Sequence, residues 1–152
     1  MIDVKELRIG NYVFPKNDSG KESVIGEVFA INNYLVSVKG NHNQYDYHLL
    51  EPIPLTEELL LKCGFTELYS DSKGYIYSVN NIEFIRSYFD TPSYFIKTNE
   101  ENVLFEKPIN YLHQLQNIYF ALIGEELKVN AARKSKVDDN TARMQSIKQL
   151  GV

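Results

Sequence analysis

Apolar and polar positions alternate in short runs over the first third of the chain. Ile9-Gly-Asn-Tyr-Val-Phe14 reads as a strand closed by Pro15 and the turn-rich Asn17-Asp-Ser-Gly20. Ser23 to Ile31 and Tyr34 to Lys39 form two further runs around Asn32-Asn33, residues that tolerate the positive φ of a tight hairpin. Gln44 to Leu49 alternates as a fourth strand after the turn Gly40-Asn-His-Asn43. Gly26 inside the second run predicts a bulge or bend. Four or five short strands with tight turns predict an SH3-like small β-barrel over residues 1–51.

Pro52-Ile-Pro54 then breaks the strand pattern. Thr56 is a helix cap, Glu57 and Glu58 suit the positive end of a helix dipole, and Gly64 is a stop, so a short helix is predicted over 56–63. Leu55 and Leu60 stand at the spacing of a hydrophobic staple. Strands follow at 66–70, 74–79, 82–89, 93–97 and 102–105, with gaps short enough for a sequential antiparallel meander. In the third of these, Ile82, Phe84 and Tyr88 share one face, and Ile85 and Phe89 share the other, which implies cover on both sides. From Asn110 to Ile123, Tyr111, Leu112, Leu115, Ile118, Tyr119 and Leu122 keep helical spacing, with Pro108 ahead and Gly124 behind. This second helix should lie across the meander, with Leu127 and Val129 adding contacts. The fold class is therefore α+β: a barrel unit (1–51), a meander with two helices (52–130) and a basic tail (131–152).

Composition narrows the function classes. The 152 residues include 43% hydrophobic and 24% charged residues, an ordinary globular balance. A single cysteine, Cys63, excludes an intramolecular disulfide and any multi-cysteine metal framework. Cys63 falls on the apolar face of the short helix and reads as a buried, inert thiol. No apolar run approaches the ~18 residues of a membrane span, and the first residues do not form a signal peptide, so an intracellular, cytoplasmic protein is expected. The net charge is −4, yet residues 131–152 carry +3 through Arg133, Lys134, Lys136, Arg143 and Lys148 against Asp138 and Asp139. The acidic body repels a phosphate backbone, which leaves the tail, with Arg133, Lys134 and Lys136, as the only electrostatic foothold for nucleic acid.

Candidate chemistry is sparse. All eight glycines are isolated, so no phosphate-cradling loop can be built, and no cofactor is expected. Asp46 and His48 would share one side of a strand, with His42 in the preceding turn, a three-ligand set of unspecific spacing. On the second helix, His113, Asn117 and Phe120 recur opposite the leucine stripe, with Gln114 and Gln116 beside them. They form either a polar side on which Phe120 meets another core element, or a groove for a peptide, small ligand or second subunit. Tyrosine is abundant, with eleven against no tryptophan, which suits half-buried sheet faces and contact surfaces. Tyr45, Tyr47, His48, His113, Asn117, Phe120 and Arg86 are the candidate residues for a ligand or partner.

Three blocks carry a resemblance: Glu6-Leu-Arg-Ile-Gly-Asn-Tyr-Val13, Pro52 to Phe65, and Tyr111 to Leu127. They resemble blocks of an uncharacterised family encoded by phages, prophages and related mobile elements of gut Bacteroidetes. The resemblance implies a small protein made in the host cytoplasm during phage or prophage expression, a setting in which proteins bind, modify or sequester host factors. It supplies no catalytic residues. The expected function is that of a non-enzymatic binding or adaptor protein, engaging a host or phage protein through tyrosine-rich surfaces and a candidate homo-oligomer. The alternative is a small-ligand protein that binds or sequesters a nucleotide and so counters host defence signalling, with Arg8, Arg86 and Lys97 as the body's cations for phosphate. Two further readings are an enzyme using Asp46, His48 or His113, and a nucleic-acid binder acting through the tail.

Overall fold

A computed structural model describes residues 1–16, 24–40, 43–72, 74–88, 93–97 and 107–130. Phe89, His42, the expected strand at 102–105 and the tail with Arg133, Lys134 and Lys136 lie outside the described residues. The class is α+β, with two antiparallel sheets and two α-helices.

The first sheet contains β1 (Tyr12–Pro15), β2 (Gly26–Asn32), β3 (Leu35–Val38), β4 (Gln44–Asp46) and β5 (Leu50–Glu51). Its order is β4-β3-β2-β1-β5, so the last strand returns to pair with the first. No ladder joins β4 to β5 among the described residues, and no closed barrel is found. Its core is Val13, Val28, Val36, Val38, Tyr45 and Leu50 with Ile2 and Leu7.

Several local expectations shift. The first strand starts at Tyr12 because Gly10 takes φ +95° and the Arg8 carbonyl accepts from Asn11 N–H at 3.1 Å, so Ile9 sits in a turn. Gly26 is not the bulge; the register slips between Val28 and Ala30. Gly26 is needed instead for close approach, since a Cβ there would lie 1.9 Å from Val38 Cγ1. Past Asp46 the chain turns into a 3-10 helix (Tyr47–Leu49), so Asp46 and His48 do not share a strand face. Asp46 caps that turn, its Oδ1 accepting from the His48 backbone at 3.2 Å and lying 2.7 Å from His48 Nδ1.

α1 (Glu57–Lys62) forms as its signals dictate. Thr56 Oγ1 accepts from Leu59 N–H at 3.1 Å, and Leu55 and Leu60 are both buried. Gly64, at φ +89°, donates to the Leu61 carbonyl and Phe65 to the Leu60 carbonyl, a Schellman ending in which Phe65 and Leu60 meet in the core. The second sheet is the expected meander: β6 (Thr66–Ser70), β7 (Gly74–Val79), β8 (Ile82–Ser87) and β9 (Tyr94–Lys97) in sequential order. Its positive-φ hairpin residues are Asn80 and Asn81, at +46° and +64°; Asn32 and Asn33 do not adopt positive φ.

α2 (Leu112–Ile123) lays Leu112, Leu115 and Tyr119 against Tyr77, Phe84, Tyr94 and Ile96 of the meander, with Leu127 and Val129 joining. Tyr111 is its N-cap, and Gln114 reaches back to the backbone N–H groups of Asn110 and Tyr111 at 3.1 and 3.3 Å. Leu122 is exposed, and Ile123 rather than Leu122 takes the last place on the core side. The proline linker is stitched to this helix: Leu112 N–H donates to the Ile53 carbonyl and Leu55 N–H to the Asn110 carbonyl. β1 joins the two cores. Its side chains alternate with period two, Val13 entering the first core while Tyr12 and Phe14 pack on the second.

Candidate functional site

The polar side of α2 is an internal seam. His113, Gln116, Asn117 and Phe120 recur at the three- and four-residue spacings that align one helical face, and that face meets residues 6–12. Gln116 is fully buried. Its Nε2 donates to the Gly10 carbonyl and its Oε1 accepts from Tyr12 N–H, both at 2.9 Å, satisfying one backbone group of the turn and one at the start of β1. Asn117 Oδ1 accepts from Asn11 Nδ2 at 2.9 Å and from Arg8 Nε at 3.3 Å, and its Nδ2 donates to the Glu6 carbonyl at 2.6 Å. Asn11 is itself fully buried and closes the turn by accepting from Arg8 N–H at 2.7 Å.

Charge completes the seam. Arg8 grips Glu126 with both terminal nitrogens, one at 2.9 Å, and its guanidinium lies 4.2 Å from the Phe120 ring centre. The guanidinium holds the Glu126 carboxyl below the usual carboxylate range. His113 is 1% exposed, stacks on Tyr111, and places Nε2 3.2 Å from a carboxylate oxygen of Glu6. Burial pushes its pKa down and outweighs the opposing pull of Glu6, so at neutral pH the ring is uncharged and Nε2–H donates to Glu6. Its Nδ1 is buried with no hydrogen-bond partner. A cleft of about 300 Å³ opens beside the seam between Glu6, Lys107, Ile109, Gln114 and Ile118.

The other expected residues are dispersed. Tyr45 is 7% exposed and belongs to the first core, and Tyr47 packs against it half-buried. His48 is exposed and tied to Asp46, which it holds below the usual carboxylate range. Arg86 stands on β8, in register with Tyr75 on one side and Tyr94 on the other, remote in sequence from the seam. His113, Asn117 and Phe120 are thus brought together, while Tyr45, Tyr47, His48 and Arg86 are not part of that group.

Sequence reasoning missed Glu6, Arg8, Asn11 and Glu126 as partners of this face. They lie more than 100 residues from α2 or beyond its end, and no local pattern marks them. The isolated polar Asn11 beside an apolar run was the available signal, because a buried amide demands partners.

Cys63 is buried, and desolvation pushes its thiol up to about 12. Among the described residues no group of three or more His, Cys, Asp or Glu side chains is placed to hold a metal ion. Among them, too, no helix is long and apolar enough to cross a membrane. No protein family matches the sequence, and neither a curated protein nor a solved structure is similar to it.

Proposed function

We propose that the chain is a non-enzymatic binding protein of phage origin, engaging a host or phage protein in the host cytoplasm. The observation that carries this reading is the tip of the β2–β3 hairpin. There Phe29, Ile31, Tyr34 and Leu35 stand in solvent, Tyr34 with 70% of its surface exposed, while Val28, Val36 and Val38 fill the core beneath. Asn32 pairs with Leu35 and Ile31 with Val36, so the apolar side chains come from both strands and the turn.

Large apolar side chains left exposed around one hairpin turn are the usual mark of a contact surface. Tyrosine adds area at low entropic cost and keeps a hydroxyl for the partner. The seam supports the same reading, because the side-chain amides of Gln116 and Asn117 are spent on groups of the chain itself. The amino-terminal sheet is read as an SH3-like unit, supported by five short strands whose last returns to the first. The phage setting rests on the likeness of the three sequence blocks.

The test is affinity capture from host lysate with the wild-type chain and a Tyr34→Ala, Leu35→Ser variant of unchanged melting temperature. Proteins retained by the wild type should be lost from the variant. A bait that captures nothing above control, or equal retention by the variant, overturns the reading.

A further inference from the structure

Arg86 makes no ion pair with a carboxylate among the described residues. It occupies the middle of a row across three strands, Tyr75 on β7, Arg86 on β8 and Tyr94 on β9, each directly paired in register. The row lies on the face that carries Tyr77 and Phe84 into the core, and Arg86 is half-buried there. Its guanidinium is 5.6 Å from the Tyr75 ring centre, and Tyr75 in turn meets Tyr88 edge to face at 5.0 Å. Nε of Arg86 is buried with no hydrogen-bond partner. The hydroxyl of Tyr94, a residue 1% exposed, lies within reach of that guanidinium and meets no acceptor among the described residues. The nearby acid, Glu57, is engaged by the Tyr77 hydroxyl and makes no ion pair with Arg86 among the described residues.

A buried donor without an acceptor costs free energy, and a half-buried guanidinium without a counter-charge costs more. Here a guanidinium and a hydroxyl stand side by side on neighbouring strands, with no acceptor for the Arg86 Nε–H or the Tyr94 O–H among the described residues, which is the arrangement an oxyanion would satisfy. The planar fork of arginine matches the spacing of two oxygens on a carboxylate or phosphate, with a hydroxyl as a third donor. The half-exposed Tyr88 ring and the Tyr75 ring beside it offer aromatic surface for the body of such a ligand.

We propose that Arg86 and the Tyr94 hydroxyl form a binding site for the oxyanion group of a small ligand, a phosphate or a carboxylate, flanked by Tyr75 and Tyr88. The site is on the meander and is separate from the hairpin tip proposed for protein contact.

The test is thermal unfolding of the full chain at low ionic strength with millimolar inorganic phosphate, adenosine monophosphate or acetate. A ligand well above its dissociation constant should raise the midpoint by about 5 °C or more. A response to adenosine monophosphate beyond that to phosphate assigns the aromatic rings a share of the ligand; a response to acetate alone assigns a carboxylate. Arg86→Met should melt at or above the wild-type temperature without ligand and lose the response. Arg86→Lys, which keeps the charge without the fork, should bind at least tenfold more weakly. Tyr94→Phe should fold normally and bind several-fold more weakly. The proposal is overturned if none of the three probes moves the wild type, or if Arg86→Met responds as the wild type does. A ligand-free Arg86→Met that unfolds or melts well below wild type also overturns it, because Arg86 is then a structural residue.

Discussion

At single positions, the tightest constraints are backbone approach and burial of a titratable ring. Gly26 leaves no room for a methyl group against Val38, so Gly26→Ala should cost about 1–3 kcal/mol in chemical denaturation, since overpacking displaces a core side chain. His113 predicts a pH dependence. Its pKa is below the ordinary 6.5 in the folded chain, so the unfolded chain binds the proton more readily. The stability is therefore complete above about pH 6.5 and falls as the pH drops through that value. Comparison of wild type with His113→Phe between pH 7 and pH 5 should show the steeper decline in the wild type; parallel declines would refute the assignment. The sequence marked Gly26 as special and His113 as unusual, but not why. Both reasons are contacts with residues from other elements, Val38 and Glu6, which no local window contains.

Among the secondary-structure elements, those with local causes were legible. α1 is bounded by Thr56 and Gly64, and its cap, staple and Schellman ending are all written within ten residues. The meander was legible for the same reason, because short gaps leave neighbouring strands little choice but to pair in order. The hairpin turns were harder. Two Asn-Asn pairs occur, and only Asn80-Asn81 takes the left-handed conformation. There Val79 pairs with Ile82, which leaves a two-residue loop, whereas at the other turn Asn32 itself pairs with Leu35 and the loop is Asn33-Tyr34. Asn81→Gly should hold or slightly raise the melting temperature. Asn81→Val should lower stability by about 1–2 kcal/mol, the cost of a β-branched residue at positive φ.

For the molecule as a whole, β1 and the seam make two cores behave as one. Tyr12 and Phe14 serve the second core and Val13 the first, so separating the halves would strip a strand from one of them. A boundary near residue 51 was legible from Pro52 and Pro54, but its bonding was not, since it joins Gly10 to Gln116 and Arg8 to Glu126. Gln116→Ala leaves the Gly10 carbonyl and Tyr12 N–H buried without partners, at about 1–3 kcal/mol each. Its unfolding should broaden or split into two transitions where the wild type shows one. Cys63 carries a consequence at this scale. The lone thiol, at the carboxy end of α1, is turned into the core, and burial holds it protonated, so alkylating reagents should reach it only when that helix end lifts away. Its labelling rate is therefore a clock for opening of the carboxy-terminal half, readable by mass spectrometry with no engineered probe.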